Sequence, residues 1–456
     1  MDAVSRPVDD NAPTEVARKP RIAPPSWATT ALVGPAAVVA AAVGYAALWL
    51  AERPPGQPTE RFLGELAGAE ALLLLSCSLV LIALVPYGER WFGGFDRIVV
   101  WHRWTAVAGV VLLVPHLALV TSSPDPNETG FGHALGDVAL LGLLVLILWA
   151  LAPRLRAARH RGLVRRLART TYEHWLSAHR LTGLFVAVAV THGAIVDPTL
   201  RHSTVLRVAF VVVGVAGVGA YLYRELVAPH VVPAYDYTVK AVRRLGERTA
   251  EIDLDPAGER LAFRPGQFVM VTFAGVAAGQ RHPFSISSGA ADRELDVTVK
   301  ASGDYTDELV ESLHRGDAAR VVGPFGGFDY RDGGRRQIWI AGGIGVTPFI
   351  SWIRSLDGGF DRDVDFHYSV HGPDDAVYRD EIEAAARKHP SLRLHLVLSD
   401  SEGPLTADTV LRGVAPDAHP WVYMCGPPPM TRALARGLRR AGVPRTHVRF
   451  EDFGSR

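Results

Sequence analysis

Six long apolar stretches fill the N-terminal part of the chain, at about 29–50, 66–85, 98–121, 134–152, 176–197 and 204–224. Each is close to the roughly 20 residues that an α-helix needs to cross a bilayer. Almost no charged residue falls inside them, which is typical of a membrane protein rather than of a buried soluble bundle. The pattern predicts six membrane-spanning helices.

The hydrophobic pattern changes after Pro233. Short runs such as YDYTVKAV, FVMVTF and LDVTVKA alternate apolar and polar positions and are rich in β-branched residues, which predicts a small antiparallel β-barrel. From 337 onward strands alternate with helices, which predicts an α/β sheet with a nucleotide at the carboxyl ends of its strands. The predicted organisation is a tail at 1–27, a helical domain at 28–226, a barrel at 234–330 and an α/β domain at 335–456.

The charges of the connecting loops predict the orientation. The 153–175 loop carries seven arginines and one acid, the 86–97 loop carries two arginines, and the 122–133 loop has no lysine or arginine. Positive loops stay on the cytoplasmic side. We therefore expect a multi-pass protein of the cell membrane with both termini and the whole C-terminal half in the cytoplasm. The first 27 residues are polar and lack the apolar region of a secretory signal, so we expect a cytoplasmic tail.

Charge and cysteine content narrow the function classes. The net charge of +1 argues against a nucleic-acid binder that relies on a basic surface. The chain has two cysteines, Cys77 and Cys425, so a disulfide framework is not expected, and a cysteine-ligated iron–sulfur cluster or a four-cysteine zinc site is excluded by number.

Four histidines lie inside the apolar stretches: His102 and His116 in the third, and His179 and His192 in the fifth. Ionisable groups are costly in a bilayer and usually have a function there. On ideal helices the two members of each stretch are about 21 Å and about 20 Å apart along the axis, which puts two imidazole pairs at two matched depths. Imidazole is a ligand of haem iron, so the pattern predicts two stacked haems.

The helical phase of these histidines leaves one question open. A spacing of fourteen residues returns to within about 40° of the same helix face, whereas thirteen residues leave about 140° between the side chains. Either the fifth span is irregular or its two haems lie to different sides. Three other histidines near span ends compete as ligands, and we expect them to be interfacial: His133, His174 and His202.

The C-terminal half holds several short motifs that suit nucleotides. RPGQF at 264–268, HPFSIS at 282–287 and KASGDYT at 300–306 lie in the barrel. An aromatic ring beside small hydroxyl residues can cover a planar ring system, and a glycine followed by hydroxyl donors at a helix start can hold a diphosphate. In the α/β domain, IWIAGGIGVTP at 338–348 joins a strand to a helix, and MCGPPPM at 424–430 follows a later strand.

The histidine spacing of fourteen and thirteen residues resembles that of the ferric reductase transmembrane domain, a family of membrane ferric reductases and superoxide-producing NADPH oxidases. The resemblance implies that His102 pairs with His179, and His116 with His192, as axial ligands of two b-type haems.

The barrel motifs resemble the flavin domain of the ferredoxin–NADP reductase superfamily, which implies FAD. Phe284 and Ser285 would then lie near the isoalloxazine, in a motif that begins with His282 where soluble relatives often have arginine. The residues implied at the flavin are His282, Pro283, Phe284, Ser285, Ile286, Ser287 and Lys300, with Gly303, Tyr305 and Thr306 near the pyrophosphate.

The α/β motifs resemble the nicotinamide-nucleotide loops of the same superfamily. The implied contacts are Gly342, Gly343, Gly345, Thr347, Pro348, Cys425, Gly426 and Pro427, with Cys425 near the nicotinamide. In that superfamily a C-terminal aromatic covers the flavin. Phe453 is our candidate, with Glu451 as a polar partner and Phe450 as the competing choice. The resemblance therefore implies a catalytic set of Cys425, Ser285, Glu451 and Phe453.

The choice of nicotinamide cofactor is less sharply indicated. Ser369 and His371 follow the second strand of the α/β domain, where serine or arginine meets the 2′-phosphate of NADPH. Asp374 and Asp375, which suit the ribose hydroxyls of NADH, come soon after. The sequence favours NADPH and leaves NADH open.

Together these features predict a transmembrane oxidoreductase. Electrons would pass from cytoplasmic NAD(P)H through FAD and two haems to an external acceptor, either ferric iron or dioxygen giving superoxide. Two alternatives stay open: a membrane subunit that reduces a partner protein outside, and a flavin reductase on a haem-free anchor.

Overall fold

The N-terminal half of the chain is a helical bundle. The computed structural model describes residues 31–123, 130–151, 172–276, 279–415 and 418–451; the predicted tail, most of the arginine-rich loop and Phe453 lie outside these ranges. The helices of this half are α1 (Val33–Ala51), α2 (Thr59–Ala83), α3 (Val85–Phe92), α4 (Phe95–Ser122), α5 (Gly130–Leu151), α6 (Tyr172–His179), α7 (Thr182–Val196), α8 (Pro198–His202), α9 (Thr204–Leu222) and α10 (Ala228–Val231), with a π-helical turn at Tyr223–Val227 between the last two.

Within the described residues, six helical segments are long and apolar enough to cross a membrane. Their bundle has a buried core around Trp49, Phe62 and Leu206. Its outer surface is also apolar, because aliphatic side chains such as Val114 and Val215 are about two-thirds exposed. An aliphatic surface of this extent is unusual for a water-soluble domain.

The fifth span is irregular at one of its histidines. Helix α6 ends at His179, residues 180–181 form a turn, and α7 starts at Thr182. The Thr182 hydroxyl donates to the His179 carbonyl oxygen at 2.7 Å. The break changes the helical phase between His179 and His192. Of the two alternatives for the fifth span, an irregular helix is therefore the one observed.

The barrel that follows is antiparallel. Its strands are β1 (Ala234–Gly246), β2 (Thr249–Pro256), β3 (Phe268–Phe273), β4 (Arg281–Ser285), β5 (Leu295–Lys300) and β6 (Ala318–Phe325), with helix α11 (Asp304–Ser312) between the last two. The sheet order is β4-β3-β6-β1-β2-β5. An antiparallel bridge from Ile286 to Val297 joins the two edges and closes the barrel around a core that includes Tyr237, Val271 and Phe273. The predicted antiparallel β-barrel is confirmed.

The last part of the chain is a parallel sheet flanked by helices, as the alternating pattern predicts. Its elements are β7 (Arg336–Gly342), α12 (Thr347–Arg354), β8 (Asp363–Val370), α13 (Arg379–Lys388), β9 (Leu392–Leu398), α14 (Ser399–Glu402), α15 (Ala407–Val410), β10 (Trp421–Cys425), α16 (Pro428–Arg440) and β11 (Val448–Glu451). The strand order is β11-β10-β7-β8-β9. The order reverses between β7 and β10, and ligands of open α/β sheets bind at the carboxyl ends of the strands at such a point.

A buried ion pair joins the barrel to the parallel sheet. The guanidinium of Arg354, at the end of α12, donates to Glu251 of the barrel at 2.6 Å and to Glu381 of α13 at 2.7 Å. Burial would raise the pKa of the fully buried Glu251, but the hydrogen bond and charge of Arg354 outweigh it and hold that pKa below its usual value. The Ser351 hydroxyl adds a bond of 2.7 Å to the Ser288 carbonyl oxygen. These contacts fix the orientation of the barrel relative to the parallel-sheet domain; we call these two the nucleotide-type domains.

Candidate functional site

The structure brings the four predicted histidines together in two pairs. We call His102 and His179 the near pair, because it lies at the end of the bundle beside the barrel, and His116 and His192 the far pair. The ring centroids are 6.4 Å apart in the near pair and 6.5 Å apart in the far pair, with the ring planes almost perpendicular in both. Two nitrogen–metal bonds of about 2 Å, with the two ring radii added, come to roughly 6 Å, so one metal atom fits between the rings of each pair.

Hydrogen bonds fix the protonation of three of the four rings. Nδ1 of His116 lies 2.8 Å from the Gly64 carbonyl oxygen, and Nδ1 of His192 lies 2.8 Å from that of Gly132. Nδ1 of His102 lies 2.9 Å from the Ser78 carbonyl oxygen. Because a carbonyl oxygen only accepts, Nδ1 carries the proton in each ring and Nε2 keeps its lone pair, which is the tautomer of a metal ligand.

His179 is held differently. Its ring stacks on Trp175 at 5.2 Å between centroids, with 17° between the planes. Its Nδ1 is buried without a hydrogen-bond partner among the residues that the structure describes. The ring lies in a pocket that is also lined by His102, Arg180 and Arg224.

Glycines make room for the far pair. A Cβ at Gly68 would lie 2.6 Å from Nδ1 of His116, and a Cβ at Gly136 would lie 2.8 Å from Cε1 of His192. Gly68 lies four residues after Gly64 in α2, and Gly136 lies four residues after Gly132 in α5. Gly64 and Gly132 are the residues whose carbonyl oxygens accept from the same two rings. These glycines are not among the residues predicted from the sequence, although each pair forms a G-x-x-x-G motif, which is a recognisable sign of close helix contact.

At the barrel, the structure brings His282 and Tyr305 together from two of the predicted flavin motifs. Their rings stack at 3.6 Å between centroids. The Tyr305 hydroxyl is buried without a hydrogen-bond partner among the described residues, and burial raises its pKa to about 12. A neutral phenol of this kind is a donor available to a bound polar group.

The remaining residues of the flavin motifs divide between the barrel core and its rim. Phe284 is buried against Phe273 inside the barrel, and Ser285 stands opposite Phe268 in the sheet. Ile286 and Ser287 are buried, and the Ser287 hydroxyl donates to Glu251 at 2.7 Å. Pro283 is half-buried in β4.

The segment predicted for the pyrophosphate is a turn that leads into α11. Gly303 precedes the helix, and the Thr306 hydroxyl donates to the Gly303 carbonyl oxygen at 3.0 Å. That hydroxyl is therefore engaged inside the turn. Lys300 lies 3.6 Å from Asp375 of the parallel-sheet domain.

The two glycine motifs of the parallel sheet meet at its switch point. A Cβ at Gly345 would lie 2.8 Å from Cα of Gly426, and a Cβ at Gly342 would lie 2.8 Å from Cδ of Pro427. Gly343 has φ +54, a conformation that favours glycine. Thr347 and Pro348, both buried, start α12 directly after this loop. The bare backbone leaves a crevice at the carboxyl ends of β7 and β10, which suits a phosphate-bearing ligand.

Cys425 and Glu451 lie side by side at this crevice. They are paired in register between β10 and β11, and both are buried. Phe450 is exposed and pairs with Met424, so its side chain lies on the other face of the sheet from Cys425 and Glu451. This geometry disfavours Phe450 as the flavin cover, whereas Phe453 lies outside the described residues and stays a prediction.

The residues predicted at the adenosine ribose lie at the carboxyl end of β8. Ser369 is buried and pairs with Gly342, and His371 is exposed, with Nδ1 3.3 Å from a carboxylate oxygen of Asp400. They frame the same edge of the sheet as the glycine loop.

Family models match both nucleotide-type domains. Residues 234–333 match the FAD-binding domain, and residues 339–436 match the oxidoreductase NAD-binding domain. No model of a ferric reductase transmembrane domain matches the helical half.

Known proteins resemble the same half. The chain is 32% identical over 241 residues to ferredoxin–NADP reductase B of Sorangium cellulosum, covering 48% of this chain and 97% of that protein. It is 29% identical to the toluate 1,2-dioxygenase electron transfer component of Pseudomonas putida, covering 48% of this chain and 68% of that protein. A cytochrome P450 reductase of Amycolatopsis has a TM-score of 0.42 at 26% identity, covering 48% of this chain and 70% of that one. Three further relatives are matched over only 53% to 58% of their length.

The two family models and the match to ferredoxin–NADP reductase B define the class: an NAD(P)H-dependent flavin oxidoreductase that transfers electrons. Through its C-terminal half the chain belongs to the ferredoxin–NADP reductase family.

Replacing Gly345 tests the crevice. Gly345→Ala places a methyl group against the backbone of Cys425 and Gly426, and such overpacking costs about 1–3 kcal/mol. We expect the Kd for NADP⁺ and NAD⁺ to rise by about tenfold, with FAD content unchanged. Titration of the purified protein with NADP⁺ and NAD⁺ measures this. Gly358→Ala is the control, because nothing lies within 4 Å of its added methyl. An unchanged Kd in Gly345→Ala would place the nucleotide elsewhere.

Proposed function

We propose that the protein is a transmembrane oxidoreductase of the cell membrane, which passes electrons from cytoplasmic NAD(P)H through FAD and two b-type haems to an acceptor on the external face. The observation that carries the proposal is the arrangement of the two histidine pairs. Each pair has room for one metal atom between its rings, and in three rings a backbone carbonyl holds the proton on Nδ1.

The helical half supports the membrane part of the proposal. Six apolar segments of sufficient length, with aliphatic side chains on the outer surface, suit a bilayer. The two arginines at 86–97 and the seven at 153–175 favour a cytoplasmic C-terminal half. The near pair then lies toward the cytoplasm and the far pair toward the outside.

The donors at both pairs fit haem. His102 and His179 would hold one iron, and His116 and His192 the other. The near pair is bordered by Arg180, which is ion-paired with Glu225, and by Arg224. When bound, FAD converts the two-electron hydride of NAD(P)H into single electrons, and haem carries single electrons. The helices keep water away from the rings, and the Nδ1 hydrogen bonds orient them.

The reductase half positions the nucleotides. The glycine backbone at 342–345 and 426 would accept the dinucleotide phosphates, and Cys425 would border the nicotinamide. His282 and Tyr305 would border the flavin, and the buried Tyr305 hydroxyl could donate a hydrogen bond to it. Ser369 and His371 favour NADPH over NADH.

The acceptor is the open part of the proposal. Ferric iron and dioxygen are the two small acceptors that we propose. The second candidate is a partner protein outside. The toluate 1,2-dioxygenase electron transfer component is by name one component of a larger enzyme, which supports a protein as the acceptor.

Proteoliposomes with trapped ferric citrate test the proposed function. NADPH added outside should be oxidised at a rate that depends on the trapped iron, because electrons cross the bilayer inside the protein. Parallel assays use NADH as the donor, and oxygen as the acceptor with and without superoxide dismutase. Oxidation of NADPH that proceeds only with an acceptor on its own side would overturn the transmembrane route.

The glycines beside the far pair give a sharper prediction. Gly68→Ala and Gly136→Ala push a methyl group into rings that a carbonyl already pins, so we expect the far pair to lose its haem while the near pair keeps one. Haem content of the purified protein should fall by roughly half, because overpacking of this kind is not relieved by a small shift. Gly44→Ala in α1 is the matched control, since its methyl meets nothing within 4 Å. Full haem content in all three variants would contradict this assignment.

A further inference from the structure

The bundle and the barrel touch through a small aromatic cluster. Phe95, the first residue of α4, packs edge-on to Phe268 of β3 at 5.3 Å between centroids and lies 6.0 Å from Phe325 of β6. The two barrel rings are 5.7 Å apart and buried. Aromatic contacts of this geometry stabilise beyond the area that they bury.

A hydrogen bond adds direction to the contact. One carboxylate oxygen of Glu89, in α3, accepts from the Gly326 backbone N–H at 3.1 Å. The Gly326 carbonyl oxygen accepts from the Gln267 side chain at 3.0 Å. Gly326 has φ +93, and a Cβ there would lie 3.2 Å from both the Phe268 ring and the Glu451 carboxylate. The bundle, the barrel and the strand that carries Glu451 therefore meet at one backbone position.

The same cluster lies between the two cofactor-type sites. Phe95 precedes His102 by seven residues in one continuous helix, about 10 Å along the axis and within roughly 20° of the same face. Phe268 stands opposite Ser285 of the predicted flavin motif. The contact thus links the flavin-type motif to the helix that carries one histidine of the near pair.

We propose that Glu89 and Phe95 are positioning residues, which dock the barrel on the bundle and thereby set the rate at which electrons pass from the flavin to the near pair. The inference rests on the proposed function and deepens it. Docking fixes the distance between the two sites, while hydride transfer to the flavin takes place within the reductase half alone. Loss of the contact should therefore affect the second step and spare the first.

Hydrogen–deuterium exchange tests the docking without any turnover. In the full-length protein, the amide of Gly326 should exchange at least about fivefold faster in Glu89→Ala, because its acceptor is gone. Glu89→Gln keeps a neutral acceptor and should restore most of the protection. Phe95→Leu should raise exchange across the ends of β3 and β6. Phe131→Leu, a change of an exposed phenylalanine at the opposite end of the bundle, should alter neither.

Anaerobic stopped-flow mixing with NADPH tests the kinetic part. In Phe95→Leu and Glu89→Ala, flavin bleaching should keep its wild-type rate. Haem reduction, followed by its absorbance change, should slow about tenfold to a hundredfold, because a misplaced donor and acceptor react more slowly. Phe95→Tyr keeps the ring and should retain the wild-type haem rate. Phe131→Leu serves as the control here too.

The outcomes separate the two proposals. If haem is reduced at the wild-type rate in both Phe95→Leu and Glu89→Ala, the inference is overturned and the proposed function still stands. Equal slowing of flavin and haem reduction also overturns the inference, because the residues then act on the fold as a whole. Absence of haem from the wild-type protein overturns both.

Discussion

Each ring nitrogen of an imidazole inside an apolar bundle needs a hydrogen-bond partner or a metal, and the helical half of this protein is arranged around that requirement. A backbone carbonyl that accepts from Nδ1 satisfies one nitrogen and leaves the other with a lone pair. Ser78, Gly64 and Gly132 supply such carbonyls from neighbouring helices. In His102, His116 and His192 the carbonyl holds the proton on Nδ1, so Nε2 keeps a lone pair that can bind a metal.

The close packing of the helices follows from the same requirement. For a carbonyl of one helix to reach a ring on another, the two helices must come close, and side chains at the contact must be small. Gly68 and Gly136 meet that need, one turn from the carbonyl that binds the ring. The break between α6 and α7 serves the near pair in another way, since it changes the helical phase directly after His179. Helix spacing, glycine placement and the irregular span are thus consequences of orienting four rings.

Much of the fold could be predicted from local patterns, and less of the site. Apolar length and strand alternation indicated the six helical segments, the barrel and the parallel sheet, because these features depend on residues close in sequence. The closure of the barrel through Ile286 and Val297 and the clamp between Arg354 and Glu251 depend on residues 11 and 103 positions apart, which no local pattern contains. The same holds for the acceptors of the histidine rings and for the contact of Phe95 with Phe268. The direction of a side chain was also hidden: Phe284 belongs to the flavin-type motif, yet its ring lies in the barrel core.

The central claim is that two pairs of histidines each hold a haem, and electron paramagnetic resonance of the oxidised, purified protein tests it most directly. A count of two haems per chain, with the low-spin signals of iron held by two imidazoles, is the result that the account predicts. Replacement of His116 by leucine should remove one low-spin centre and leave the other. A protein that purifies with full FAD but no haem, or with high-spin iron at both sites, would contradict it.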